Sequence, residues 1–127
     1  YSPDCLVIMD NSERALRQAF NDLRTCDVAV VNSGKKLLDV FPGLKCMGSV
    51  DATAIGLAET GRPVVNTCML GAFARTTGWV QLESVLAAIE QLLDREQGRI
   101  NARCAQRGFH EVLVVDLKES VTVEFPQ

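Results

Sequence analysis

The chain has 127 residues, 47% of them hydrophobic, with 13 Lys and Arg against 16 Asp and Glu and a formal net charge of −3. That is one domain, or part of one, with enough apolar residues for a core. It holds no basic run of the kind that nucleic-acid binding rests on, no stretch of about 18 apolar residues for a membrane span, and no basic-then-apolar leader.

Cys5, Leu6, Val7, Ile8 and Met9 form a short continuous apolar run, which predicts a strand buried on both faces. Asp10, Asn11, Ser12 and Glu13 follow with capping side chains and early negative charge. A helix is expected from there to about Arg24, with Ala15, Leu16, Ala19, Phe20 and Leu23 on one side. Val28, Ala29, Val30 and Val31 predict a second buried strand, ended by Asn32, Ser33 and Gly34. Strand, helix and strand within about 30 residues predict a parallel, right-handed βαβ unit. Residues 35–42 are a connection without a clear period. Residues 45–50 predict a third strand, and Asp51 is placed to cap a helix running to about Thr60, stopped by Gly61 and Pro63. Gly56 weakens that helix, so it should depend on packing.

The centre of the chain is residues 67–74, where nearly every side chain is apolar or small. A helix apolar on all sides belongs inside a fold, and this run falls far short of the about 20 residues that cross a bilayer. Asn66 is the expected N-cap and Gly78 the expected left-handed residue at the end. Gly71, at a cost of about 1 kcal/mol relative to Ala, predicts the close approach of another backbone. Trp79 falls in the connection to a further helix, whose Leu82, Val85, Leu86, Ile89 and Leu93 repeat with the 3.6-residue period. Residues 94–107 are more polar and predict a terminal helix, broken near Gly98 and ended by Gly108. In the tail, residues 112–127, two β-prone runs at 112–115 and 121–125 flank a polar link, as in a hairpin or added edge strands. The chain begins at Tyr1 without methionine, directly before a strand-like run, and is expected to be a fragment.

No residue stands out as catalytic. Cys5, Cys26, Cys46, Cys68 and Cys104 are scattered and odd in number, with no CxxC. They offer no zinc or iron–sulfur signature and suit free thiols in a reducing cytoplasm. His110 is the single histidine and is expected in solvent, without a cysteine beside it. Glu59, Glu83, Glu90, Asp94 and Glu96 fall on polar helix faces and are expected to be solvated. Arg62 and Arg75 flank the central helix and are expected to pair with acids before any anionic ligand. Ligands of open α/β sheets bind beyond the carboxyl ends of strands, and helix starts there favour phosphate. Asn11, Ser12, Asn32 and Ser33 are therefore the candidate cofactor-binding residues. The competing reading is that they are caps and turns.

The ordered set of Asp51, Ala52 and Thr53, the Gly61 turn, residues 66–72 (NTCMLGA), Thr77 and Gly78, residues 82–85 (LESV), Asn101, and Gly108 with Phe109 resembles the gamma subunit, or gamma domain, of the 2-oxoacid:ferredoxin oxidoreductases, which act on substrates such as pyruvate and 2-oxoisovalerate. The likeness covers residues 3–109. It implies a Rossmann-like layered α/β fold, a mostly parallel sheet flanked by helices, with residues 1–111 a partial gamma-type domain lacking the family's glycine-rich N-terminal segment. The tail at 112–127 extends past the usual end. The resemblance implies work within a complex that cleaves a 2-oxoacid with thiamine diphosphate, passes electrons through iron–sulfur clusters to ferredoxin and forms acyl-CoA. Thiamine and clusters are expected on partner chains, the alpha, beta and delta or ferredoxin-like subunits. This chain would supply assembly surface and the coenzyme A side, and would be inactive alone. No metal, nucleic acid or membrane is expected. The alternatives are a stand-alone nucleotide- or phosphate-binding module and a purely structural interaction domain.

Overall fold

Four strands and five helices make up the described residues, 4–10, 12–22, 26–34 and 44–116, of a computed structural model. In chain order they are β1 (Cys5–Ile8), α1 (Glu13–Asp22), β2 (Val28–Asn32), β3 (Cys46–Val50), α2 (Ala52–Thr60), α3 (Asn66–Thr77), α4 (Leu82–Leu92), α5 (Arg95–Glu111) and β4 (Leu113–Asp116). The strands form one sheet in the order β1-β2-β3-β4. The first three are parallel, with Cys5 opposite Val28 and Val28 opposite Cys46, and β4 runs antiparallel to β3, with Leu113 opposite Ser49. The expected mostly parallel α/β fold is what the chain adopts.

Alternation along β2 divides the core, because successive side chains of a strand point to opposite faces. Val30 joins Val50, Met69, Ala72 and Cys104 on one face, whereas Ala29 and Val31 join Ile8 and Met47 on the other, with Ala19 of α1 packed against them. A third cluster, Ala74, Val85, Ile89 and Ala105, ties α3, α4 and α5 together. The sheet thus lies between α1 on one side and α3 with its helical neighbours on the other.

The glycine prediction holds. A Cβ on Gly71 would run into the Ala105 carbonyl, and one on Gly108 into the Cys68 carbonyl. α3 and α5 therefore meet backbone to backbone, each lending a glycine to the other. α5 is one unbroken helix through Gly98 and past Gly108 to Glu111, contrary to the expected break and stop, and at Gly108 that contact is the reason. Gly108 serves packing, and a tertiary contact outweighs its propensity of about 1 kcal/mol.

Three further expectations are corrected. Asn66 is the first helical residue; Val65 takes the cap position, and no side chain bonds there. Leu70 is 42% exposed, so α3 is buried around most of its circumference but not all. β1 is not covered on both faces, and Val7 is 37% exposed. Asp51 and Gly78 fulfil their expected roles: Asp51 Oδ1 accepts from the Ala54 N–H at 3.0 Å, and Gly78 ends α3 at φ 67°. The first run of the tail becomes β4, and its second run lies outside the described residues.

Candidate functional site

A cavity of about 540 Å³ opens beyond the carboxyl ends of β2 and β3. Its polar lining is Ser33, Ser49, Asp51, Arg107 and Glu111, and its apolar wall includes Val50 and Ile55. The topology creates it: two parallel strands end side by side, α2 starts from one of them, and the end of α5 with the start of β4 closes the far side.

Asn32, the last residue of β2, holds this corner together. It is 1% exposed. Its Nδ2 donates to the Met9 carbonyl at 2.8 Å and to Thr53 Oγ1 at 3.0 Å. Its Oδ1 accepts from the Ala52 N–H at 2.9 Å and, at greater length, from the Thr53 N–H at 3.4 Å. A backbone carbonyl only accepts, so the amide nitrogen must face Met9 and the amide orientation is settled. Next along, the Ser33 N–H donates to the Val50 carbonyl at 2.9 Å, locking the end of β2 to that of β3. Gly34 follows; a Cβ there would lie 2.6 Å from Asp51 Oδ2.

The far wall is a charge network. Arg107 grips Glu111 with a fork, Nε to Oε2 at 2.6 Å and Nη2 to Oε1 at 3.2 Å, and reaches Glu59 with Nη1 at 3.1 Å. Arg103 approaches the other Glu59 oxygen at 3.5 Å. Hydrogen bonding to Glu111, with a smaller opposing effect of burial and help from Glu59, pushes the Arg107 pKa upward. Glu59, expected in solvent, is instead largely covered and shared by two guanidinium groups.

Of the four candidate residues, the fold brings two together. Asn32 and Ser33 sit at the start of α2, Ser33 lining the cavity. Ser12 is exposed and acts as a cap: its Oγ accepts from the Ala15 N–H at 3.2 Å, and its own N–H donates to Asp10 Oδ1 at 2.8 Å. Asn11 lies outside the described residues. Arg107 and Glu111 were not among the candidates. Their four-residue spacing marks a helical ion pair, yet nothing local places that pair at the strand ends.

The remaining titratable groups form no reactive centre among the described residues. Burial pushes the Cys5 thiol up to about 11 and the Cys68 thiol up to about 12, and raises Cys46 and Cys104 as well, so these thiols stay protonated and poorly nucleophilic. His110 is exposed, its ring edge-on to Phe109. Arg75, expected to meet an acid, lies over the Phe109 ring at 5.3 Å. No group of three His, Cys, Asp or Glu side chains among the described residues could hold a metal ion.

A mostly parallel sheet under helices, with a cavity at its strand ends, defines an α/β domain. Residues 1–111 match the family model described as pyruvate ferredoxin/flavodoxin oxidoreductase, and the chain belongs to that family. It is 36% identical over 121 residues to the pyruvate/ketoisovalerate oxidoreductases common subunit gamma of Thermococcus kodakarensis, covering 92% of this chain and 65% of that one. It is 36% identical over 112 residues to pyruvate synthase subunit PorC of Methanothermobacter thermautotrophicus, covering 88% and 61%. The gamma subunit of NADH-dependent phenylglyoxylate dehydrogenase from Aromatoleum evansii is 36% identical over 117 residues, covering 90% and 62%. The crystal structure of pyruvate oxidoreductase subunit PORC from Thermotoga maritima superposes with a TM-score of 0.73 at 31% identity, covering 91% of this chain and 66% of that chain. The chain thus spans just under two thirds of the length of these relatives.

Proposed function

We propose that the chain is the gamma component of a 2-oxoacid:ferredoxin oxidoreductase, a complex that decarboxylates a 2-oxoacid oxidatively to acyl-CoA and reduces ferredoxin. It contributes assembly surface and a coenzyme A-side face rather than the thiamine site, and the isolated chain is inactive. Thiamine diphosphate and the iron–sulfur clusters belong to its alpha, beta and delta or ferredoxin-like partners, and the complex works in the cytoplasm. The observation that carries this is the family match across residues 1–111, supported by relatives whose names are those of gamma and PorC subunits. No helix among the described residues is long and apolar enough to cross a membrane.

Among the candidate residues, Ser33 is the one proposed to face the coenzyme, because it lines the cavity. Asn32 and Ser12 are assigned to capping on their hydrogen bonds. A stand-alone phosphate-binding module gains no support, since the backbone donors at the start of α2 already have partners within the protein. The test is co-expression of the full-length protein with thiamine-binding chains. Co-purification, together with 2-oxoacid oxidation by the complex but not by this chain alone, is the expected result. Activity in the isolated chain, or failure to associate, would overturn the assignment.

A further inference from the structure

We infer that the strand-end cleft does not receive phosphate, because Asn32 fills from within the protein the position an anion would take at the start of α2. A helix start attracts anions through unpaired N–H groups and the positive end of its dipole. Here the protein uses those groups itself. Ala52 and Thr53 donate to Asn32 Oδ1 at 2.9 and 3.4 Å, and Ala54 to Asp51 Oδ1 at 3.0 Å. Asn32 cannot swing aside to admit a ligand without breaking its bonds to Met9 and Thr53.

The surrounding charge points the same way. The Asp51 carboxylate already answers the helix dipole, and the Glu111 carboxylate lines the same cavity. Arg107, the cation in the lining, is held in a fork by Glu111 and by Glu59 behind it. An arriving phosphate would meet two carboxylates already bonded to that guanidinium. Coenzyme A carries its charge as a pyrophosphate and a ribose phosphate, so its charged end does not fit here. This exclusion rests on hydrogen bonds inside the chain and not on the subunit assignment.

Amide NMR on the full-length wild-type protein tests it. Inorganic phosphate is titrated against chloride at matched ionic strength, and coenzyme A against pantetheine. The expected result is that phosphate leaves the amide signals of Ala52, Thr53 and Ala54 where chloride leaves them, and that coenzyme A moves them no more than pantetheine does. A saturable shift of these three amides with phosphate would overturn the inference, as would a shift with coenzyme A that pantetheine fails to reproduce. Absent co-purification, by contrast, would count against the subunit assignment and leave the amide result to stand or fall separately.

Discussion

At the scale of single residues, Asn32 bears more of the structure than its polarity suggests. Replacing it with Ala leaves the Ala52 N–H without its partner in a site that is 1% exposed at residue 32. A stranded buried group costs about 1–3 kcal/mol, so Asn32→Ala should lower stability by about that much in chemical denaturation. Loss of less than about 0.5 kcal/mol, the usual range for surface substitutions, would mean that the corner is held by other contacts. The buried thiols make a second residue-scale prediction. Below the ordinary cysteine value of 9.0, folded and unfolded thiols are alike protonated, and their contribution to stability does not vary with pH. Above it the unfolded chain ionises, while burial holds Cys5 protonated to about 11 and Cys68 to about 12. Stability should therefore fall as pH rises from about 9 through these values. A melting temperature unchanged between those limits would contradict the burial of both thiols.

At the scale of elements, the α3–α5 contact is the most sensitive joint. Neither Gly71 nor Gly108 has room for even a methyl group, because a backbone carbonyl of the other helix occupies the space. Gly71→Ala and Gly108→Ala should each destabilise by about 1–3 kcal/mol through overpacking, despite the better helix propensity of Ala. Both widen the same gap, so the double variant should cost less than the sum of the two. Denaturant midpoints of the three variants check this, and strict additivity would show that the glycines do not share one interface. The ion-pair network on the same helix behaves differently. Arg107→Met removes the fork to Glu111 and leaves Glu59, with a side chain 16% exposed, facing Arg103 alone. The cost should be about 1–3 kcal/mol in chemical denaturation, that of stripping a partner from a covered charged group.

At the scale of the whole molecule, both edges of the described sheet carry apolar side chains into solvent. Val7 is 37% and Leu113 52% exposed, on strands that each have one neighbour among the described residues. Unprotected apolar edges invite pairing with other chains. The 127-residue chain purified alone should self-associate as its concentration rises, and Val114→Lys on β4 should reduce that association in sedimentation measurements. A chain that stays monomeric across the accessible range would show that these edges are shielded.

Much of this architecture could be read from residue order. Local patterns report local structure: the apolar runs of β1 and β2, the Asp51 cap, the period of α4 and the notch at Gly71 each announced itself, because each depends on neighbours a few positions away. The family likeness rested on the same ordered residues, and the match over residues 1–111 agrees with it. The tertiary structure alone decided what depends on distant partners. Gly108 looks like a helix breaker, yet it lies within α5, because propensity is worth about 1 kcal/mol and a packed helix contact is worth more. Asn32 looks like a ligand-binding turn residue, but Met9 and Ala52 fill its hydrogen-bonding positions from 23 and 20 residues away. Glu59 looks solvated, and it is claimed by Arg107 across 48 positions. A side chain's partners are set by where the backbone has already put them, so sequence can propose which residues are polar and close to a strand end, but only the folded chain shows which of them are already spoken for.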